Sequence, residues 1–321
     1  MSEEAKSPHY SVLYQETLDG LNLKPGGKYI DGTLGAGGHS YGILERIGPT
    51  GQVLGLDADP VALKIAAEKL EIFGKRARLV QSNFAQLFEV AEREGFVPAD
   101  GVVLDLGLSS MQLDDPTRGF SFRGDGPLDM RFGEAVQGKL TAARIVNEWP
   151  EERLMKLFFE LGEEPQSRRM ARAIVAARKI KPINTTAQLA ALLEKIGSGK
   201  AAGRTKRPLH PATRIFQALR MEVNHELERL GQGLAGAVQV LGPGGRLAVI
   251  SFHSLEDRVV KHFVQQAVSD KIIPVGAPAS LSFPKTPTLR FITKKPLEPG
   301  PQEQAENRRS RSAKLRVAEK I

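Results

Sequence analysis

Three short apolar runs, each closing on a carboxylate, set the pattern of the first third of the chain: Tyr29-Ile30-Asp31, Val53-Leu54-Gly55-Leu56-Asp57 and Val102-Val103-Leu104-Asp105. Runs this short and this uniformly apolar read as parallel strands buried on both faces. Ala77 to Gln81 reads as a further short strand, and His39 to Ile47 as a helix. The pattern breaks at Leu113. From there to Gly133 the chain is a charged loop rich in Gly and Pro. Helical periodicity then takes over in Leu140 to Asn147, Glu151 to Leu161 and Thr186 to Ile196, and in Arg168 to Ile180, where Ser167 is the expected N-cap. Ser198 to Pro211 is glycine-rich and basic, a flexible loop by composition. A long helical stretch, Ala212 to Val240, leads back to a turn at Leu241–Gly245 and a buried strand at Arg246–Phe252. Ser254 is the expected cap of the helix that follows. Thr288–Lys294 and Ala313–Ala318 read as closing strands around a linker, Lys295 to Ser312.

Strands alternating with helices predict an α/β fold, a doubly wound, Rossmann-like sheet. The helical segment predicts an insertion after the fourth strand. The expected division is residues 1–113 and 209–321 for the sheet domain and 114–208 for the inserted domain.

Open α/β sheets bind ligands at the carboxyl ends of their strands. Between Asp31 and a helix lies Gly32-Thr33-Leu34-Gly35-Ala36-Gly37-Gly38. Glycines at 35, 37 and 38 permit positive φ and close approach of backbone to a ligand. Asp57 follows about twenty residues on, the spacing of an acid that bonds ribose hydroxyls. The order is not G-x-G-x-x-G, so a nucleoside joined to a small zwitterion suits the loop better than a dinucleotide. Asp31 either caps its turn or anchors a cofactor amino group. Phe84 either fills core or flanks an adenine. Ser109 and Ser110 lack the G-x-S-x-G elbow of a nucleophile and suit substrate bonding or turn capping. His253 suits substrate contact, proton acceptance or helix capping. No His spacing suggests a metal site.

The 321 residues contain no Cys. That excludes disulfides, thiolate metal sites, iron–sulfur clusters and any cysteine adduct to a pyrimidine ring carbon. Direct transfer to nitrogen or oxygen stays open. The net charge of +8 is unevenly spread: Pro165–Arg220 carries a net +12 and Lys285–Ile321 a net +6. Concentrated cations fit a polyanionic partner. Arg168, Arg172 and Lys179 fall on the face of their helix opposite Met170, Ile174 and Ala177. Together with Lys206-Arg207 and Arg308–Lys314 they form the expected phosphate-contacting surface. The polar N-terminus and the lack of any apolar stretch of spanning length suggest a cytoplasmic protein.

Several long motifs resemble the ribosomal RNA small subunit methyltransferase H family across nearly the whole chain. They are His9–Leu13, Asp31–Ser40, Gly55-Leu56-Asp57, Asp105–Gln112, Gly119–Arg123, Gly126–Arg131, His210–Arg220, Ser251–Arg258 and Ser310–Arg316. The resemblance implies a class I methyltransferase sheet. It implies S-adenosylmethionine as cofactor and the exocyclic 4-amino group of a cytidine in the decoding region of 16S rRNA as acceptor. It also implies that Gly37, Gly38, His39, Asp57, Phe84, Asp105 and Gln112 contact the cofactor. Ser11 and Arg308 stand where the family usually has proline. Ser109 and His253 are the expected catalytic contacts, and no metal is expected. The partner is the rRNA of the small subunit rather than DNA, since no (Asp/Asn)-Pro-Pro-aromatic segment is present. A nicotinamide-dependent oxidoreductase and a non-catalytic rRNA-binding assembly factor are the competing readings.

Overall fold

A computed structural model describes residues 11–133, 140–197, 210–272 and 281–321. Strands β1 (Lys28–Asp31), β2 (Gln52–Asp57), β3 (Ala77–Gln81), β4 (Ala99–Asp105) and β5 (Leu241–Ser251) run parallel. A two-stranded hairpin of β6 (Lys271–Ile272) and β7 (Phe283–Pro284) comes next, then β8 (Leu289–Phe291) and β9 (Lys314–Lys320). The seven-stranded sheet has the order β3-β2-β1-β4-β5-β9-β8, with β9 antiparallel to both neighbours. Its order reverses between β1 and β4, the place where such sheets take ligands.

Two faces of this sheet are buried, and period-two alternation sorts its residues between them. Ile30, Leu54, Leu56, Val102, Leu104 and Val249 pack into one core. Tyr29, Val53, Val103, Ala248 and Ile250 pack into the other. Helices cover both, which is why the strands read as continuous apolar runs rather than as alternating ones. The chain divides into two compact units. The α/β unit is Met1–Gly107 with Leu227–Ile321, and the helical unit is Leu108–Glu226. The helical unit thus extends beyond residues 114–208 on both sides.

Four local expectations need correction. Ala212 to Val240 is two helices, Ala212–Asn224 and Glu226–Val240, broken at His225, whose φ is +49°. Leu241–Gly245 is not a free turn: the ladder pairs Ala99 with Leu241 and then Gly101 with Arg246, so the intervening residues bulge out of β5. Ser167 lies inside its helix (Ser167–Ile180) and is buried, while Glu164 Oε1 accepts from Gln166 N at 2.9 Å just ahead of it. The stretch 295–312 is no bare linker. It holds a helix, Pro301–Glu306, whose Glu303 accepts from Leu13 N at 2.9 Å, and a 3₁₀ turn, Arg308–Ser312.

In the helical unit, Phe120, Leu128 and Met130 from the charged loop join a core with Phe158, Ile174, Leu189 and Leu219. Buried Asn224 ties that loop down, accepting from Phe132 N (2.9 Å) and donating to Met130 O (2.7 Å). Among the described residues, no helix is long and apolar enough to cross a membrane.

Candidate active site

Carboxylates terminate β1, β2 and β4, and the three have different partners. Asp31 is buried, and both oxygens are used locally: Ser40 Oγ donates at 2.7 Å and Thr33 N at 3.2 Å. Burial raises its pKa to about 6 against the relief of those bonds. Of its two sequence readings, the turn-holding one has its hydrogen bonds in place. Asp57 accepts from Gly35 N at 2.8 Å and from Asp59 N at 2.9 Å, so it braces the glycine loop against the end of β2. Burial raises its pKa as well.

Asp105 differs. Its backbone N donates to Thr33 Oγ1 at 2.6 Å, but its side-chain Oδ1 is buried with no hydrogen-bond partner. Burial first, then the charges of Asp31 and Glu256, hold its carboxyl well above the usual range.

The glycine loop earns its composition. Gly35 and Gly37 have φ of +52° and +75°. Gly38 opens the helix Gly38–Arg46, and a Cβ there would strike Ser11 Oγ. The next residue, His39, is 4% exposed. Its ring stacks on Tyr14 at 6.0 Å, its Nδ1 lies 3.8 Å from Asp105 Oδ2, and its Nε2 has no partner. Burial lowers its pKa to about 4, so the imidazole is neutral.

Phe84 follows Asn83, whose side chain accepts from Ala85 N at 3.0 Å and caps the 3₁₀ turn Phe84–Gln86. The ring is half-buried beside the core, against Gly233, where any Cβ would collide with it.

His253, not Ser254, caps the helix Ser254–Val268: its Nδ1 accepts from Glu256 N at 3.3 Å. Its Nε2 lies 3.0 Å from Glu256 Oε1 but makes no hydrogen bond. Glu256 is buried, and its Oε2 accepts from Phe252 N at 2.8 Å. The sequence reading missed Glu256, although an acid at the third helical position is a capping signal. It also missed Thr33 and Ser40, the hydroxyls that fix Asp105 and Asp31.

In the helical unit, Ser109 and Gln112 form a reciprocal cap of the helix Ser110–Asp114. Ser109 Oγ accepts from Gln112 N at 3.2 Å, and Gln112 Oε1 accepts from Ser109 N at 3.1 Å. Arg168, Arg172 and Lys179 are exposed, as their periodicity predicts. Arg168, Arg169 and Arg172 line a surface cavity of about 290 Å³ with Pro165 and Gln166. Arg308, Arg309 and Arg311 are exposed in the α/β unit. Lys206-Arg207 and His9-Tyr10 lie outside the described residues.

The family profile described as the MraW methylase family matches residues 6–321. A protein of Thermomicrobium roseum named ribosomal RNA small subunit methyltransferase H is 48% identical, aligned over 100% of this chain and 96% of its own length. One of the same name from Carboxydothermus hydrogenoformans is 50% identical, over 98% of both chains. A solved rRNA methylase of Streptococcus thermophilus is 11% identical over 99% of both chains, with a TM-score of 0.42. Profile and relatives agree along the full length of the motifs: the chain belongs to the MraW methylase family.

Proposed function

We propose that this chain methylates the exocyclic 4-amino group of a cytidine in the decoding region of 16S rRNA, with S-adenosylmethionine as donor. The observation that carries the reading is a glycine loop braced by Asp57 in a chain whose full-length relatives bear the name of small-subunit rRNA methyltransferases. The pocket suits the donor on its own terms. Three buried polar atoms at the sheet edge, His39 Nε2, Asp105 Oδ1 and His253 Nε2, lack hydrogen-bond partners, which is costly unless a polar ligand meets them.

In this reading Asp57 takes the ribose hydroxyls, and Gly37 and Gly38 let backbone approach the ligand. Phe84 flanks the adenine. His39 and Asp105 face the amino-acid portion. The family resemblance adds Gln112. When bound, the donor supplies an electrophilic methyl on a sulfonium, which needs little further activation. The protein's share is alignment. The cytidine amine is a weak nucleophile because its lone pair conjugates with the ring, so acceptors that hold its N–H bonds favour a pyramidal nitrogen. The chain has Asp105-Leu106-Gly107-Leu108 here, and the backbone carbonyls of Leu106–Leu108 are the proposed acceptors. Ser109 or His253 completes the set. Ser109 Oγ already accepts one amide but keeps its own hydrogen to donate. His253 Nδ1 already accepts from Glu256 N. Near-normal single-turnover rates in both Ser109→Ala and His253→Ala would remove these two from the reaction. The target base must leave any stack to reach the pocket.

Two measurements test the whole. Mass-spectrometric mapping of 16S rRNA nucleosides with and without the protein should show a 4-amino-methylated cytidine only in its presence. Calorimetric titration should show Asp57→Ala binding S-adenosylhomocysteine about ten- to hundredfold more weakly, the loss of a hydrogen bond to a charged group. Unchanged rRNA, or undiminished affinity in Asp57→Ala, would overturn the reading.

A further inference from the structure

The residues around the start of the helix Tyr14–Leu21 back the glycine loop and the helix it opens. Ser11 Oγ fills the space that a Cβ of Gly38 would take. The Val12 backbone is a hydrogen-bond partner of the His39 ring. Tyr14 stacks on that ring at 6.0 Å, and its hydroxyl fills the space that a Cβ of Gly42 would take. Val12 and Leu13 pack in one core with Ile43 and Leu44 of the helix Gly38–Arg46. Leu13 is the joint of this segment. Its φ of +50° and ψ of +40° are left-handed, a conformation that leucine keeps only when its surroundings hold it there. Two hydrogen bonds do so. Leu13 O accepts from Thr17 N at 2.9 Å, and Leu13 N donates to Glu303 Oε1 at 2.9 Å. Glu303 lies 290 residues away in sequence, on the helix Pro301–Glu306. Leu13 is fully buried, so without Glu303 its N–H would be left unpaired and away from water.

We propose that Glu303 is a positioning residue for the cofactor: by fixing Leu13 it sets the backing against which Gly38 and His39 meet the donor. The inference rests on the cofactor reading above. Glu303 acts through the Leu13 amide and not on the donor. Its loss lets the Leu13 backbone relax out of the left-handed region and draws Ser11, Val12 and Tyr14 away from Gly38 and His39. Those two residues then hold the donor from a looser frame. The carboxylate serves here as an acceptor, so an uncharged acceptor of the same length serves equally.

The test is calorimetric titration of the full chain with S-adenosylhomocysteine. Glu303→Ala should bind about three- to thirtyfold more weakly than wild type. Glu303→Gln, which keeps the acceptor, should bind within about twofold of wild type. Gln304→Ala is the control for the integrity of the same helix. Gln304 Nε2 donates to Pro299 O at 2.8 Å, and its loss should leave affinity within about twofold. In methyl transfer to small-subunit particles, the Glu303→Ala defect should appear in the donor's KM, with kcat within about twofold. One measurement needs no variant. In the wild type, S-adenosylhomocysteine should slow hydrogen exchange of the Leu13 amide by about threefold or more, because coupling between two sites is reciprocal. Undiminished affinity in Glu303→Ala, an equal loss in Glu303→Gln or Gln304→Ala, or Leu13 exchange unmoved by the ligand would overturn this inference alone. Failure of the wild type to bind S-adenosylhomocysteine would remove the cofactor reading and this inference with it.

Discussion

The carboxyl edge of the sheet and the first half of the helix Ser167–Ile180 are both clusters of like charge, and they are built in opposite ways. At the sheet edge, Asp31 is buried and Asp57 and Asp105 are half-buried at strand ends, and desolvation raises the pKa of all three. On the helix, Arg168, Arg169 and Arg172 stand in solvent, with Glu151 3.7 Å from Arg172. An exposed cation costs little and acts through the counterions it displaces. A buried anion costs several kcal/mol and must be repaid by hydrogen bonds, a proton or a ligand. Like charges grouped on a surface therefore suggest a large polyanion. Like charges grouped where water is scarce depend on local donors, as Asp31 and Asp57 do.

The strongest way to break this contrast is to invert the exposed cluster. Arg168→Glu, Arg172→Glu and Lys179→Glu together should weaken rRNA binding by about a hundred- to a thousandfold at about 0.1 M salt and flatten its salt dependence by roughly two units. Cofactor affinity should stay within about twofold, measured by calorimetry. An unaltered salt slope would show that this helix face does not meet the RNA.

A second experiment probes the buried cluster through pH. Asp31 ionises near pH 6 in the fold and near pH 3.9 when unfolded, so its proton stabilises the fold increasingly as pH falls from 6 to 4. His39 does the reverse. It takes a proton near pH 4 in the fold and near pH 6.5 when unfolded, so stability is lost over the same interval. Each effect amounts to about 3 kcal/mol, and the two nearly cancel. Asp31→Asn removes one side of the balance. Urea melts between about pH 6.5 and about pH 4 should then show the variant losing about 2–3 kcal/mol more than wild type. Parallel curves would contradict the buried-charge description.

The smallest effect sharpens the comparison from outside both clusters. Ser109→Ala removes an N-cap bond and should cost about 1 kcal/mol of stability. A loss of methyl transfer far beyond that, in a folded protein, would mark a hydroxyl that meets substrate as well as backbone.

Most of the sheet was legible in the sequence because its strands are apolar throughout and end on acids. The carboxyl edge could be located for the same reason. The break at His225 was not legible, since apolar periodicity runs unbroken across it and only the backbone φ reveals it. The bulge in β5 read as a turn because Gly-Pro-Gly-Gly has turn chemistry, while its place inside a ladder is a long-range fact. The caps show the limit most clearly. Ser167 and Ser254 are good N-cap residues by propensity, yet Gln166 and His253 hold those positions, Gln166 without a side-chain cap bond, because burial and register decide which residue sits at the helix start. The electrostatics of Asp105 depend on Asp31 and Glu256, which are far from it in sequence. No local window contains that information.

The α/β unit is assembled from two stretches of chain, with the whole helical unit encoded between them. During synthesis β4 emerges with the edge that will face β5 still bare. It stays bare while the ribosome makes Leu108–Glu226, the stretch that forms the helical unit. An apolar strand with an open edge is a template for aggregation, so the interval between Asp105 and Leu241 is the period when a nascent copy most needs a chaperone's shelter.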